Sequence, residues 1–279
     1  MPGEPGTPTQ CFPLVDRVYP AHGALFRTSF RPRFLPPGAV RLDVWSGSGI
    51  LGPMNRVKTA IVGASGYSGE QLVRLLLRHP GVELVTLVDL DPEMTRLFST
   101  QPLLTQLNAG ALASPKVRVV NADAFAWLAT NTQRFDFVVA DFPDPSNFSL
   151  GKLFTTAFYG RLRSALASGG AVVVQSTSPY VARRSFWCVD ETLRASGYLT
   201  EPYHLYVPSF GEWGFILASP EPLPQAMQIP PGLRFLTGAT ARDLFTFPPD
   251  MSRVVTEVNR LNNQALVRYF EEEWGRYAP

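Results

Sequence analysis

From Val57 onward, short apolar runs and stretches with helical spacing take turns along the chain. Thr59–Val62, Glu83–Val88, Val117–Val120, Phe135–Ala140 and Ala171–Gln175 are strand-length and rich in β-branched residues. Between and after them lie Glu70–Arg78, Asp91–Leu107, Ala122–Thr130, Lys152–Ala167 and Pro179–Ser196, each helical in spacing. Pro92 suits a first helical turn, and Gly197 suits a helix end. Strands that alternate with helices demand a parallel sheet covered on both faces, because neither element can bury its apolar side alone. The right-handed crossover rule then collects the C-terminal ends of the strands on one edge. Ligands of such sheets bind there, where the strand order reverses. Two further strands, Tyr203–Val207 and Trp213–Ala218, are close enough for an antiparallel hairpin.

The flanks differ from this α/β core, which runs over 54–220. Nine of the 26 prolines precede Met54, so residues 1–53 are expected to be an irregular leader. Within it, Phe26–Phe34 interleaves three arginines with aromatics, a loose segment or a site for an acidic partner. Residues 221–279 begin as a proline-rich linker, and Asp250–Trp274 reads as one long, mostly polar helix, packed on the sheet or open to a partner. The 25 basic and 23 acidic residues nearly balance, which leaves no electrostatic footprint for nucleic acid or a membrane surface. No apolar run is long enough for a signal sequence or a membrane span, and the expected location is cytoplasmic. Two cysteines without a CxxC, and the dispersed His22, His79 and His204, argue against a disulfide framework and against a bound metal.

The first strand ends in Gly63-Ala-Ser-Gly66-Tyr-Ser-Gly69. Glycines there permit a tight turn and close approach to a phosphate or nucleoside at a helix N-terminus, or simply pack a turn. Asp89 lies 20 residues after Gly69, at the end of the second strand. A carboxylate in that position accepts the two ribose hydroxyls of an adenosine-bearing ligand, or caps the next helix. Asp123 follows the third strand and could take an adenine amino group or cap its own helix. Asp141 and Asp144, in Asp-Phe-Pro-Asp-Pro, follow the fourth strand on a proline-braced loop. Two carboxylates there make a pocket for a cation, and like-charge repulsion raises one of them toward a general base; the alternative is an Asx turn at Asp144. Asp136, at the far end of that strand, has a structural reading, as do His204 and Cys188. Glu212-Trp213, after Pro-Ser-Phe210, either walls a substrate or packs.

Several of these stretches occur together in one family. Leu87-Val-Asp-Leu-Asp-Pro92, Asn121-Ala-Asp-Ala-Phe125, Asp141-Phe-Pro-Asp-Pro-Ser-Asn147, Lys152-Leu-Phe-Thr-Thr-Ala-Phe-Tyr159 and Val207-Pro-Ser-Phe-Gly-Glu-Trp-Gly-Phe215 resemble the spermidine synthases, the polyamine aminopropyltransferases. The resemblance runs from about Pro80 to the C-terminus. It implies a Rossmann-like, seven-stranded, methyltransferase-type sheet with an antiparallel last strand. It implies transfer of an aminopropyl group from decarboxylated S-adenosylmethionine to putrescine, giving spermidine and methylthioadenosine. No cofactor is implied beyond that co-substrate, because its sulfonium is already activated. Asp89 matches the ribose-binding acid, Asp123 the adenine-binding Asp, Asp141 the catalytic carboxylate and Asp144 the diamine holder. Phe210 stands where the family has Tyr. The implied partners are the diamine and the donor, and a homodimer is compatible with the pattern.

Two stretches depart from that pattern. The family's first loop is a Gly-Gly-Gly-Asp-Gly run, whereas Arg56–Val85 is similar to the N-terminus of N-acetyl-gamma-glutamyl-phosphate reductase, which binds NADP. The nearest carboxylate here is Glu70, on the helix. Residues 1–53 do not match the family's N-terminal β-hairpin domain. The alternative readings are therefore a non-catalytic relative that binds a nucleoside or polyamine, an NADP-binding oxidoreductase, and a methyltransferase.

Overall fold

A computed structural model of the chain describes residues 56–63, 67–223 and 235–276, together with Ile229 and Leu233. The leader at 1–53, Cys11, His22 and Gly66 of the first glycine loop lie outside the described residues. The strands are β1 (Val57–Val62), β2 (Val82–Asp89), β3 (Val117–Asn121), β4 (Phe135–Ala140), β5 (Leu166–Gln175), β6 (Leu199–Val207) and β7 (Gly211–Ser219). They form one seven-stranded sheet in the order β3-β2-β1-β4-β5-β7-β6. β1 to β5 pair in parallel, and β7 runs antiparallel to both β5 and β6. The α/β class, the parallel core and the closing hairpin are as the sequence led us to expect.

Side chains alternate across the sheet, as the pleat requires. Ile61, Val85 and Leu87 pack on one face with Val73 of helix α1 (Tyr67–Arg78). Ala60, Val62, Val88, Val138, Val172 and Val174 face the other side. There they meet helix α4 (Ala124–Thr130), helix α6 (Thr156–Ala165) and helix α7 (Arg183–Ala195), through Leu128, Phe158, Leu162, Phe186 and Leu193.

Two expected helices are broken. Asp91–Leu107 divides into α2 (Pro92–Thr100) and α3 (Pro102–Leu107). Pro102 has no N–H for a continuing helix and drives Gln101 into extended backbone, at φ −73° and ψ 122°. Asp91 caps α2, accepting from the Glu93 and Met94 amides. The run from Lys152 starts as a 3₁₀ turn, Lys152–Phe154, after the short α5 (Phe148–Gly151), and Thr155 then caps α6.

The long helix expected over Asp250–Trp274 is a larger correction. Only α9 (Ala265–Trp274) is helical there, and residues 252–260 are irregular, after the small helix α8 (Gly238–Asp243). Buried Asn259 holds the irregular segment: its amide nitrogen donates to the carbonyls of Gly151 and Phe154, and its side-chain oxygen accepts from Leu266 N. The backbone of the segment also bonds to other elements rather than along a helix: Asn259 N donates to Thr192 Oγ1, and Asn259 O accepts from Thr156 N. α9 is not mostly polar in its packing, for it buries Ala265, Leu266, Val267 and Tyr269 against the sheet domain.

Candidate functional site

The strand order reverses between β1 and β4, since β2 and β3 lie on one side of β1 and β4 and β5 on the other. That crevice is where Gly63 and Asp141 meet. Gly63 N donates to Val88 O at 2.9 Å, and Asp141 N donates to Val62 O at 2.9 Å. Gly63 has φ +88°, and a Cβ placed on it would lie 2.6 Å from the Asp141 carbonyl oxygen. Both constraints require glycine. Gly69 is buried within α1, one turn or less from its start, so it packs the helix.

The loop after β4 is pinned through Phe142. Its ring is buried and meets Phe154 and Phe158 edge-on, with centroids 5.9 and 5.4 Å apart. A buried aromatic between two aspartates leaves both carboxylates at the sheet edge, and Asp141 and Asp144 are each half-buried. Asp144 Oδ1 is buried without a hydrogen-bond partner. Burial pushes the Asp144 carboxyl up to about 6, while hydrogen bonds from Gln175 and Thr177 pull it down. Repulsion from Asp141 was the expected cause; desolvation replaces it, because Phe142 draws the loop into the core.

Asp89 ends β2 and is 2% exposed. Its Oδ1 accepts from Asp91 N at 2.8 Å, whereas Oδ2 is buried and unpartnered. A buried carboxylate oxygen with no donor is costly unless a ligand hydroxyl or amine completes it. Glu70 of α1, also buried, accepts from Asn108 Nδ2 at 2.8 Å. Burial raises its carboxyl to about 7, the Asn108 hydrogen bond lowers it, and the charge of Asp89 adds to the rise.

Asp123 has structural partners for both oxygens. Oδ1 caps α4 by accepting from Ala126 N at 3.0 Å, and Oδ2 pairs with Lys152 Nζ at 2.6 Å. Desolvation works to raise its carboxyl, but Lys152 and the Ala126 and Phe125 amides together hold it below the usual range.

The β6–β7 hairpin brings Phe210, Glu212 and Trp213 to a different part of the rim. Phe210 and Glu212, with Tyr180, Tyr206, Asp250 and Met251, line a cleft of about 430 Å³. Glu212 Oε1 is 2.5 Å from His204 Nδ1, and His204 Nε2 lies 2.9 Å from the Thr246 carbonyl. Trp213 connects the cleft to the carboxylate loop. Its ring is 5.4 Å from that of Phe210; with the Gln175 amide turned so that its nitrogen faces Phe142 O, Trp213 Nε1 donates to the amide oxygen at 2.7 Å and the amide nitrogen donates to Phe142 O at 2.9 Å.

Asp136 accepts from Lys58 N at 2.8 Å, a structural contact as expected. Cys188 is buried on α7, donates to Glu257 O, and is pushed by burial up to about 12. Sequence reasoning missed Gln175, Thr177, Lys152 and Trp274. A signal existed for the first two: Gln175-Ser-Thr-Ser is a polar run directly after an apolar strand, at the edge where ligands bind. Trp274 sits nearly 100 residues away in sequence, and only the docking of α9 reveals it.

Among the described residues, no helix is long and apolar enough to cross a membrane. The spermine/spermidine synthase domain model matches residues 51–228, a span that takes in the first glycine loop. Polyamine aminopropyltransferase 2 of Ralstonia nicotianae is 55% identical over 206 residues, covering 72% of this chain and 40% of that protein. The polyamine aminopropyltransferase of Leptospira interrogans is 52% identical over 204 residues, covering 73% and 41%. The chain therefore spans about 40% of the length of these curated relatives. The crystal structure of spermidine synthase from Thermotoga maritima superposes with a TM-score of 0.54 at 19% identity, covering 70% of this chain and 66% of that one. A spermidine synthase in complex with the transition-state analogue AdoDATO gives 0.50 at 19% identity, covering 80% and 69%. These likenesses match the seven-stranded sheet with its antiparallel end, and the sequence matches go further: the chain belongs to the spermine/spermidine synthase family.

Proposed function

We propose that the chain carries the aminopropyl-transfer site of a polyamine synthase, with decarboxylated S-adenosylmethionine as donor and putrescine as acceptor. The observation that carries this reading is the Asp141–Asp144 loop at the strand-order reversal. Its two carboxylates share a partly desolvated edge with the orphaned Asp89 oxygen. A dication and a sulfonium donor are the ligands such an edge attracts.

Asp89 Oδ2 accepts a hydrogen bond from a ribose hydroxyl of the donor, and Asp123, at the N-cap of α4 just after β3, lies on the adenine side. Asp144 holds the distal ammonium of the diamine. Asp141 takes the proton from the attacking amine. The freed nitrogen lone pair forms a bond to the aminopropyl carbon next to sulfur. The carbon–sulfur bonding pair moves to sulfur, and neutral methylthioadenosine leaves. The positive charge passes from sulfur to the new secondary amine, so no further cofactor is called for. The donor-binding roles expected for Gly63, Gly66 and Gly69 belong to this reading, while Phe210, Glu212 and Trp213 shape the acceptor side. The division into a leader at 1–53, a core at 54–220 and a tail at 221–279 belongs to this reading, as do a cytoplasmic location and a homodimer.

The test is incubation of the chain with both substrates, followed by mass spectrometry. Spermidine and methylthioadenosine in equal amounts support the proposal. Donor binding without either product would favour a nucleoside-binding relative instead.

A further inference from the structure

His204 stands on the edge strand β6 with an acceptor against each nitrogen of its ring. In the antiparallel register His204 is opposite Gly214, and Tyr206 is opposite Glu212. His204, Tyr206 and Glu212 therefore share one face of the hairpin, with His204 and Glu212 on a diagonal. Glu212 Oε1 lies 2.5 Å from Nδ1, and the Thr246 carbonyl oxygen lies 2.9 Å from Nε2. A carbonyl oxygen can only accept, so Nε2 carries a proton. The short contact on the other side needs a second proton, which Nδ1 and the Glu212 carboxyl share. The rest of the residue is also fixed. Its side chain is 13% exposed, its ring lies 4.7 Å from that of Phe247, and its backbone N donates to Leu244 O at 2.9 Å.

One wall of the 430 Å³ cleft is built on this anchor. Pro248, Asp250 and Met251 follow directly on the segment that His204 holds. Helix α7 pins their far end, where Trp187 Nε1 donates to Met251 O at 2.9 Å and Arg183 Nε to Ser252 O at 2.6 Å. The cleft is thus set before any ligand arrives. Glu212 and Asp250 are its two carboxylates, and no lysine, arginine or histidine lines it. Because His204 occupies Oε1 of Glu212, Oε2 is the oxygen left to accept from a ligand; it has no hydrogen-bond partner among the described residues. A glutamate already held in one rotamer loses less freedom on gripping a ligand than a free one does.

We propose that His204 is a positioning residue for the acceptor side of the site: its ring holds Glu212 in the orientation from which the carboxylate draws an alkylammonium ligand into the cleft. This rests on the reading of Phe210, Glu212 and Trp213 as the acceptor side. The same ring has a second duty, which is to bolt β6 to residues 244–247. The two duties use different nitrogens, Nδ1 for Glu212 and Nε2 for Thr246, and substitution can separate them.

An asparagine amide nitrogen falls near the place of Nδ1, and a glutamine amide nitrogen near that of Nε2. In the whole chain, H204N therefore keeps a donor for Glu212 and gives up Thr246, and H204Q does the reverse. With putrescine and the decarboxylated donor, H204Q raises KM for the diamine about tenfold, with kcat within about threefold and KM for the donor unchanged. H204N stays within about threefold of wild type in all three. E212Q raises KM for the diamine about tenfold, and the double variant H204Q/E212Q raises it no further, because both changes remove one interaction. The opposite order, with H204Q near wild type and H204N impaired, would overturn the proposal, since bolting the hairpin would then be the ring's whole role. Multiplying KM effects in the double variant would overturn it too. A second readout needs no turnover. In protein labelled with ¹⁵N-histidine, the His204 ring signals, identified by their loss in H204N, move when putrescine is added beside methylthioadenosine, and stay still in E212Q. His204 signals that ignore putrescine in the wild type contradict the proposal. A wild-type chain that forms no methylthioadenosine sinks the transfer reading alone, and the labelled histidine then decides this one. If H204Q does not fold, the labelled wild type and E212Q decide it.

Discussion

The backbones of Gly63 and Asp141 cross so closely at the strand-order reversal that a Cβ on Gly63 would lie 2.6 Å from the Asp141 carbonyl oxygen. The end of β1 and the start of the carboxylate loop are therefore one mechanical unit. Gly63→Ala adds a methyl into that contact, and into the Phe142 ring, at φ +88°. The left-handed backbone alone costs on the order of 1–2 kcal/mol, and the overlap adds about as much again. A fall in melting temperature together with a loss of turnover is expected, read by thermal denaturation and product formation. An alanine variant with wild-type stability would mean that this crossing is looser than described.

Asp144 gives the site an acidic limit. Burial raises its carboxyl to about 6, so the carboxylate proposed to hold the diamine's ammonium is lost as pH falls through that value. kcat/KM for the diamine is expected to drop below about pH 6. Asp144→Asn has no such limb attributable to this residue, and its kcat/KM falls about 100-fold, the scale of a lost charge-assisted contact. A pH–rate profile of both proteins checks this. An unchanged acidic limb in the variant would assign it to another group.

Glu70 makes the stability of the fold depend on pH. Its folded carboxyl is raised from 4.5 to about 7 by burial, so the folded state holds its proton more tightly than the unfolded state does. The stability this contributes is full below about 4.5 and is lost as pH rises through about 7. Glu70→Gln retains an acceptor for Asn108 and removes the buried charge. The variant is expected to gain roughly 1–2 kcal/mol over wild type at pH 8, and little at pH 5. Denaturant melts at the two pH values measure the difference, and an equal gain at both would contradict it.

Much of this was legible beforehand, and the misses have physical causes. The expected bounds of β4 match those found, because Phe135–Ala140 is apolar almost throughout and flanked by polar breaks. Asp89, which ends β2, and Asp141 and Asp144, which follow β4, stand at the C-terminal edge of the parallel strands, where the apolar runs of the sequence end. The break at Gln101 was present in the sequence as Pro102, but the apolar spacing on both sides outweighed it. The long C-terminal helix failed for a different reason. Asn259 and its neighbours take core carbonyls and amides as partners, which no local pattern announces. The contact of Trp274 with Thr177 depends on tertiary docking in the same way.

Asp123 serves helix α4 and Lys152 at once, and two substitutions separate those duties. Asp123→Ala loses both the cap and the ion pair, at an expected cost of about 1–2 kcal/mol. Asp123→Asn keeps a good cap and loses only the charge, at about 0.5 kcal/mol. If Asp123 also contacts the adenine of the donor, Asp123→Ala weakens donor affinity beyond its effect on stability. Calorimetric titration with the donor, performed below the melting transition, reads that directly. Unchanged affinity in Asp123→Ala would confine the residue to capping and pairing.

The central claim is that Asp141 removes the proton from an attacking diamine. The most direct measurement is methylthioadenosine formation from decarboxylated S-adenosylmethionine and putrescine, with wild type and Asp141→Asn compared at equal donor occupancy. The account predicts product from the wild type, and a rate at least about 100-fold lower in the variant, the low end for a lost general base, with donor binding retained. Equal rates from the two proteins would contradict it.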